Sequence, residues 1–544
     1  MKRLFSFFLI LIFFGCNTHR NEPNQKTVFR YNEAVGISSL DPVYAKDQAN
    51  IWACNQLYNG LVQFNDKMNI TPCIAKSWKI SEDGKTYSFC LRNDVYFHDN
   101  EIFKDSVERK VSAYDFEYSF LRIVKPEVAS PGLWVFNYVE KNNGNYAFKA
   151  INDSVFQIKL TQAFPPFLGI LAMQYCSVVP EKAINYYGKD FRRNPVGTGP
   201  FVFKMWMEGI KLVYLKNEKY FEFDGNNRLP YLDAISITFL IDKQSAFLEF
   251  VLGNLDYMSG IDARYKDELL TANGKLNPKY HDKFKLITQA YLNTEYLGIL
   301  IDESRENVKN SPLSSKLVRQ AINYGFDRKK MMKYLRNNIG MPGNYGMIPK
   351  GLPAFNTTKI NGYSFNPDKA RELLSQAGFS AGEKIPPITL STTADYLDLC
   401  KYIQHQLNEI GFEINIDVNP PAALREMKAQ AKLNFFRGSW IADYPDAENY
   451  LSLFYSKNFC PQGPNYTHFS NSEFDLLYEQ SQKEINDSIR ISLYQKMDNI
   501  IMEEAPVVVL FYDQVLRFVQ KNISGLGSNP INLLDLRYVR KTVK

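Results

Sequence analysis

Between residues 363 and 418 apolar side chains recur at helical spacing, then alternate, then repeat both patterns. Asn366-Pro367 supplies a cap and a proline for the first helical position, Ala370, Leu373, Leu374 and Ala377 share one face, and Gly378 stops the helix. The run Ile388-Thr389-Leu390-Ser391-Thr392 reads as a strand, after which Tyr396, Leu399, Ile403, Leu407 and Ile410 return to helical spacing up to Gly411. Phe412, Ile414, Ile416 and Val418 then alternate with polar neighbours, as in a strand with one buried face. Strand, helix and strand of these lengths predict a right-handed crossover unit in a mostly parallel sheet.

The earlier part has a different texture. Residues from Gly84 to Arg92 alternate, as do Tyr146-Ala147-Phe148 and the run from Val155 to Leu160. They predict short antiparallel strands with helices to one side. The tail reads as two strands, Pro506 to Phe511 and Val515 to Val519. Nothing repeats internally, and the expected fold is mixed α/β with more than one lobe.

The first residues follow another pattern: Met1-Lys2-Arg3, an apolar run from Leu4 to Phe14 broken by Ser6, Gly15-Cys16, and the polar Asn17-Thr18-His19-Arg20. Charged, apolar, small, polar is the order of a secretory signal. The apolar run is about half of the roughly 20 residues that span a bilayer. Gly15 before Cys16 resembles a bacterial lipobox, which implies removal of residues 1–15 and a diacylglycerol on the Cys16 thiol; Phe13 and Phe14 depart from the usual motif. The alternative is an ordinary cleaved signal with Cys16 incidental. The lipobox places the chain outside the cell, lipid-anchored on the periplasmic or cell-surface side of a bacterial membrane.

At 544 residues the chain is too long for one core, and 45 % hydrophobic with 22 % charged residues is ordinary for a globular protein. The net charge of +6 falls to +4 without Lys2 and Arg3 and is scattered, which argues against a nucleic-acid partner. Setting Cys16 aside leaves Cys54, Cys73, Cys90, Cys176, Cys400 and Cys460. The even number permits disulfides in an exported protein, and free buried thiols are the equal alternative. No C-x-x-C, H-E-x-x-H or G-x-S-x-G occurs, so neither metal, cofactor nor catalysis has a positive signal.

A series of short motifs remains. Ser39-Leu40-Asp41-Pro42 and Leu57-Tyr58-Asn59-Gly60-Leu61 come first, then Ala75-Lys76-Ser77-Trp78, the run from Asp83 to Phe89 and Val111-Ser112-Ala113-Tyr114-Asp115-Phe116. Pro195-Val196-Gly197-Thr198-Gly199-Pro200-Phe201, Arg319-Gln320-Ala321-Ile322-Asn323, Asp327-Arg328 and Trp440-Ile441-Ala442-Asp443-Tyr444-Pro445-Asp446 follow. Each is weak alone, but their shared order over about 400 residues is specific. In that order the chain resembles the peptide- and nickel-type solute-binding proteins of bacterial ABC importers.

The resemblance implies a two-lobed, periplasmic-binding-protein-like α/β fold of the large class II type, with a hinge between lobes. Lobe I would comprise residues 26–49, 189–289 and 508–544, carrying an inserted subdomain at 50–188; lobe II would span 290–507. The implied activity is capture of a short peptide between closing lobes, by a monomer, for delivery to permease subunits, without catalysis. Receptors for oligosaccharides or metal chelates belong to the same family, and a peptidase-like enzyme is the reading from another class.

The resemblance also implies a site. Asp443 stands where relatives pair with a peptide ammonium; a structural turn aspartate before Pro445 is its alternative. Ser439, Trp440 and Ile441 would run extended beside the ligand, and Trp440 would wall a side-chain pocket. Arg437 would meet the carboxylate of shorter peptides. From the opposite lobe Lys46, Asp47 and Gln48 would run beside the ligand in the same way, and Trp134 would face the cleft from the inserted subdomain. Ser439 in place of a glycine, and the continuation Tyr444-Pro445-Asp446, depart from the oligopeptide binders.

Overall fold

The computed structural model describes residues 26–105, 109–262, 264–379 and 384–542; the expected leader and Cys16 lie outside the described residues. Strand β1 (Val28–Asn32) buries Phe29 and Tyr31 and turns Arg30 outward. Helix α1 (Gln48–Leu57) starts at Asp47, whose carboxylate accepts the Asn50 N–H at 3.0 Å. Four antiparallel strands follow, β2 (Ala75–Ile80), β3 (Thr86–Leu91), β4 (Phe148–Asn152) and β5 (Val155–Lys159), in the order β2-β3-β5-β4. Helix α2 (Ala113–Val124) covers β4 and β5 through Phe116 and Phe120, whose rings meet Phe148 and Phe156.

The chain then makes β6 (Phe201–Met207), β7 (Lys211–Lys216), β8 (Ala234–Thr238), α3 (Lys243–Val251) and β9 (Tyr257–Ser259). The long β10 (Phe284–Ile299) leads out of this lobe. Beyond it come α4 (Lys316–Tyr324), α5 (Arg328–Arg336), α6 (Pro367–Gln376), β11 (Ile388–Thr392), α7 (Leu397–Asn408) and β12 (Ile414–Val418). Next are α8 (Pro421–Ala429), β13 (Phe435–Ile441), α9 (Ser472–Lys483), α10 (Asp487–Glu504) and β14 (Val507–Gln520).

Hydrogen bonding links these strands in the order β6-β7-β8-β1-β9-β14-β10-β13-β11-β12. Strand β1 is parallel to β8 and β9, while β11 is parallel to both β12 and β13. The two parallel regions belong to different lobes, and β10 and β14 cross between them as an antiparallel pair. At the crossing the register jumps: Ala290 pairs with Gln514 and Thr294 with Tyr512, so Tyr291, Leu292 and Asn293 stand opposite Asp513 alone. Such a bulge interrupts the ladder and bends the ribbon. It marks the hinge.

The expected strand–helix–strand unit is present with its caps, although five of the nine neighbouring pairs in its sheet are antiparallel and the sheet is not mostly parallel: Asn366 accepts the Lys369 N–H at 3.0 Å, and Gly378 and Gly411 take positive φ of 93° and 108°. Burial fades along β12, where Ile414 is 2 % and Val418 46 % exposed. The tail departs from expectation, because the two predicted strands are one continuous β14. Its Val507 and Val509 face one core cluster of the second lobe while Val508 and Leu510 face another, so both faces are covered and the run is uniformly apolar.

The expected lobe limits at residues 289/290 and 507/508 fall inside β10 and at the start of β14 rather than in linkers. Helix α1, counted with the insertion, is tied to the C-terminal segment instead: the Trp52 indole donates to the Asn532 carbonyl at 2.8 Å and the Gln56 amide to that of Leu534 at 2.7 Å. All six described cysteines are free, and all but Cys90 are buried.

Candidate functional site

Strand β13 carries the residues singled out in the sequence. It pairs with β10 along its length, with Leu297 opposite Arg437, Glu295 opposite Ser439 and Asn293 opposite Ile441. On its other side β11 pairs only with Phe435 and Phe436. From Arg437 to Ile441 that edge has no strand partner among the described residues. Free main-chain donors and acceptors on an extended edge are what an added strand uses.

Past the end of β13 one side chain organises the turn. The Asn449 Oδ1 accepts the Trp440 indole N–H at 2.9 Å and the Asp443 N–H at 3.1 Å, and its Nδ2 donates to the Asp443 carboxylate at 3.3 Å. Asp443 is exposed by surface area, yet protein crowds around its carboxylate. Restricted hydration raises its pKa, opposed by the Asn449 hydrogen bond. No cation lies within ion-pair distance of it among the described residues. Sequence reasoning missed Asn449, which no motif marks.

At the other end of β13 the charges are reversed. Arg437 forms an ion pair with the buried Glu295, and its guanidinium stacks over the Tyr396 ring at 3.4 Å. Glu295 also accepts from the Asn293 amide at 3.1 Å and the Tyr396 hydroxyl at 3.3 Å. Arg437, expected to meet a ligand carboxylate, thus has its charge balanced within the protein, though its Nε has no hydrogen-bond partner. Nearby, Lys428 at the end of α8 lies over the rings of Tyr466 and Phe436, at 5.3 and 5.8 Å. Burial, with the neighbouring Arg437, lowers its pKa to about 8. Lys428 has no carboxylate at ion-pair distance among the described residues, and no motif marks it.

Comparison with known proteins follows this geometry. Residues 69–459 match the bacterial extracellular solute-binding proteins, family 5 Middle. The chain belongs to this family. The Dipeptide-binding protein of Escherichia coli (strain K12) is 24 % identical over 499 residues, 87 % of each chain. Heme-binding protein A of Haemophilus influenzae is 26 % identical over 499 residues, 87 % of this chain and 85 % of that one. In structure it is similar to the ABC transporter-associated periplasmic binding protein DppA from Helicobacter pylori in complex with peptide STSA, with a TM-score of 0.76 and 24 % identity over 94 % of this chain and 98 % of that one.

In this solute-binding protein the opposite lobe approaches the site differently from expectation. Ala45 and Lys46 close tight turns onto the Pro42 and Tyr44 carbonyls, Asp47 caps α1, and Gln48 opens that helix, so this segment offers a helix start and no strand edge. Gln48 sits beside the Tyr291 hydroxyl at the hinge. Asp47 and Asp443 face the same Tyr175 hydroxyl, whose pKa rises through burial and both carboxylates. The two segments thus come within electrostatic reach of one hydroxyl. Trp134 packs on Tyr444, with ring centroids 6.2 Å apart, and the Gln482 amide of α9 donates to the Tyr138 hydroxyl at 2.7 Å. The segment from Trp134 to Tyr138 and the second lobe thus touch across the cleft rim.

Proposed function

We propose that this chain is an exported receptor, held at a membrane by a lipid on Cys16, that captures short peptides between its lobes and presents them to the permease subunits of an ABC importer. It acts as a monomer and binds without transforming its cargo. The observation that carries the reading is the pairing of opposite vacancies of charge around one free strand edge. Among the described residues Asp443 has no cation and Lys428 no carboxylate at ion-pair distance, and the open edge of β13 lies between Arg437 and Asp443. A peptide brings an ammonium, a carboxylate and a main chain ready to pair. Six residues at about 3.3 Å each give roughly 20 Å between the two ends, the reach of an extended peptide of about five residues. The family membership and the names of the peptide-binding relatives support this reading, and the pattern of the first sixteen residues supports export and anchoring.

Native mass spectrometry of protein purified from cells is expected to release masses of di- to pentapeptides. Calorimetry with such peptides should show Asp443→Ala weakening binding by about ten- to a hundred-fold, the loss of a charge-assisted hydrogen bond. The empty protein should melt at nearly the same temperature, because the missing carboxylate has no cation to leave behind. A single haem, sugar or metal species in the spectrum, or equal affinity in the variant, would refute the proposal.

A further inference from the structure

Beside the hinge, where β1 and β9 end, the lobe I wall is hollowed by a cavity of about 390 Å³. It lies outside the carboxyl ends of parallel strands, where open α/β sheets take their ligands. Four aromatic residues line it, Trp52, Tyr257, Tyr265 and Tyr291, together with the carboxylate of Glu33. Glu33 accepts the Val35 N–H at 3.3 Å and meets no cation at ion-pair distance among the described residues. Burial lifts its pKa to about 7, and the Asp47 carboxylate adds to the rise.

The other carboxylates around the cavity are already matched. Lys243 and Arg264 hold Asp262 at 3.3 and 2.8 Å, and Arg336 holds Asp513 at 2.8 Å. A second group is left open as well. The Tyr257 hydroxyl, on a residue 1 % exposed, has no hydrogen-bond partner of good geometry among the described residues, with the Ser259 side chain close by. A buried hydroxyl and an unmatched carboxylate set among ring faces complement a cation on an apolar stem, because ring faces attract cations and the stem displaces water from them.

We propose that this cavity receives a basic side chain, lysine or arginine, of the bound peptide, with Glu33 as its counter-charge. The inference rests on the peptide reading above and adds a substrate class to it. The hollow is large enough for the longest natural side chain together with ordered water, and falls within the roughly 300–1,000 Å³ usual for ligand pockets.

Calorimetry with a tripeptide series tests it. Alanine tripeptide is compared with variants carrying lysine, or the uncharged isostere norleucine, at each position in turn. At one position lysine should bind roughly ten-fold or more tightly than norleucine. Glu33→Gln should remove that difference while leaving alanine tripeptide affinity and the melting temperature of the empty protein unchanged. Norleucine equal to lysine at every position, or a lysine preference surviving Glu33→Gln, overturns the pocket and leaves the peptide reading standing. Failure of the whole series to bind the unmodified protein overturns the peptide reading, and the pocket with it.

Discussion

Asp443, exposed to solvent yet crowded by protein, has no counter-ion at ion-pair distance among the described residues and takes a single hydrogen bond from the Asn449 amide. Arg437 is the contrasting case, a charge in a similar place already balanced by Glu295. What separates a ligand group from a structural one here is whether the protein has filled the partner's place. By that criterion Lys428 stands with Asp443. Its lowered pKa also makes a titration visible: the lysine is charged below about 8 and loses its proton as pH rises through that value. Affinity for a peptide with a free carboxylate should fall between about pH 7 and pH 9 more steeply than affinity for the matching peptide amide, because both lose the ammonium, whose pKa is about 8, while the acid alone also loses the Lys428 charge. Lys428→Met should remove the difference between acid and amide. Calorimetry of the pair at both pH values decides this, and a pH-independent preference would reassign the carboxylate.

The same logic works on elements. The segment leading from α5 towards α6 is pinned under β14 by Asp498 of α10, which accepts the Met347 N–H at 2.7 Å, while Tyr512 donates to the Gly346 carbonyl at 2.6 Å. A Cβ on Gly346 would lie 1.9 Å from the Asp498 carboxylate, so only glycine allows the approach. Burial raises the Asp498 pKa to about 7. Its unfolded value is lower, so the native state binds the extra proton, and the stability it contributes is present below about pH 4 and lost as pH rises through 7. Glu448, in a buried cluster with Tyr444 and Tyr478, shares that direction and a value of about 7. Chemical denaturation between pH 4 and pH 7 should show stability declining, and Asp498→Asn should reduce the slope by up to about 1.4 kcal/mol per pH unit. An unchanged slope would show that Asp498 stays ionised.

These elements also show where sequence patterning is a reliable guide. The unit from α6 to β12 was legible because each element has one buried face and ordinary caps. The tail was not, since β14 is buried on both faces at one end and bulged against β10 in its middle, and an apolar run carries no sign of its partner. The start of α1 was misplaced for a related reason. Lys46-Asp47-Gln48 has no apolar period of its own, and the Asp47 cap shows only when the Asn50 N–H comes within reach.

At the scale of the molecule, β10 and β14 are the strands that cross between the lobes among the described residues, and contacts at the cleft rim add to them. Trp134 against Tyr444, and Tyr138 against Gln482, are such contacts. A hinge of this kind should open when the cleft is empty and close on a ligand. Small-angle scattering is expected to show a smaller radius of gyration when peptide is added. Tryptophan fluorescence should change in parallel, and Trp134→Phe should remove most of that change while leaving the scattering shift. An identical radius with and without peptide would mean that the lobes stay fixed.

The sequence by itself determined the local elements, the order of motifs that marks the family, and the one aspartate on which peptide capture is proposed to turn. Periodicity, capping and turn chemistry act over a few residues, and they can be read there. The partners of charge could not. Glu295 opposes Arg437 from 142 positions away and Asn449 reaches back to Trp440 over 9, while Lys428 and Glu33 stand out because no opposite charge lies at ion-pair distance among the described residues. Whether an ionisable side chain is matched depends on what the fold brings within about 4 Å of it, and that only the tertiary structure decided.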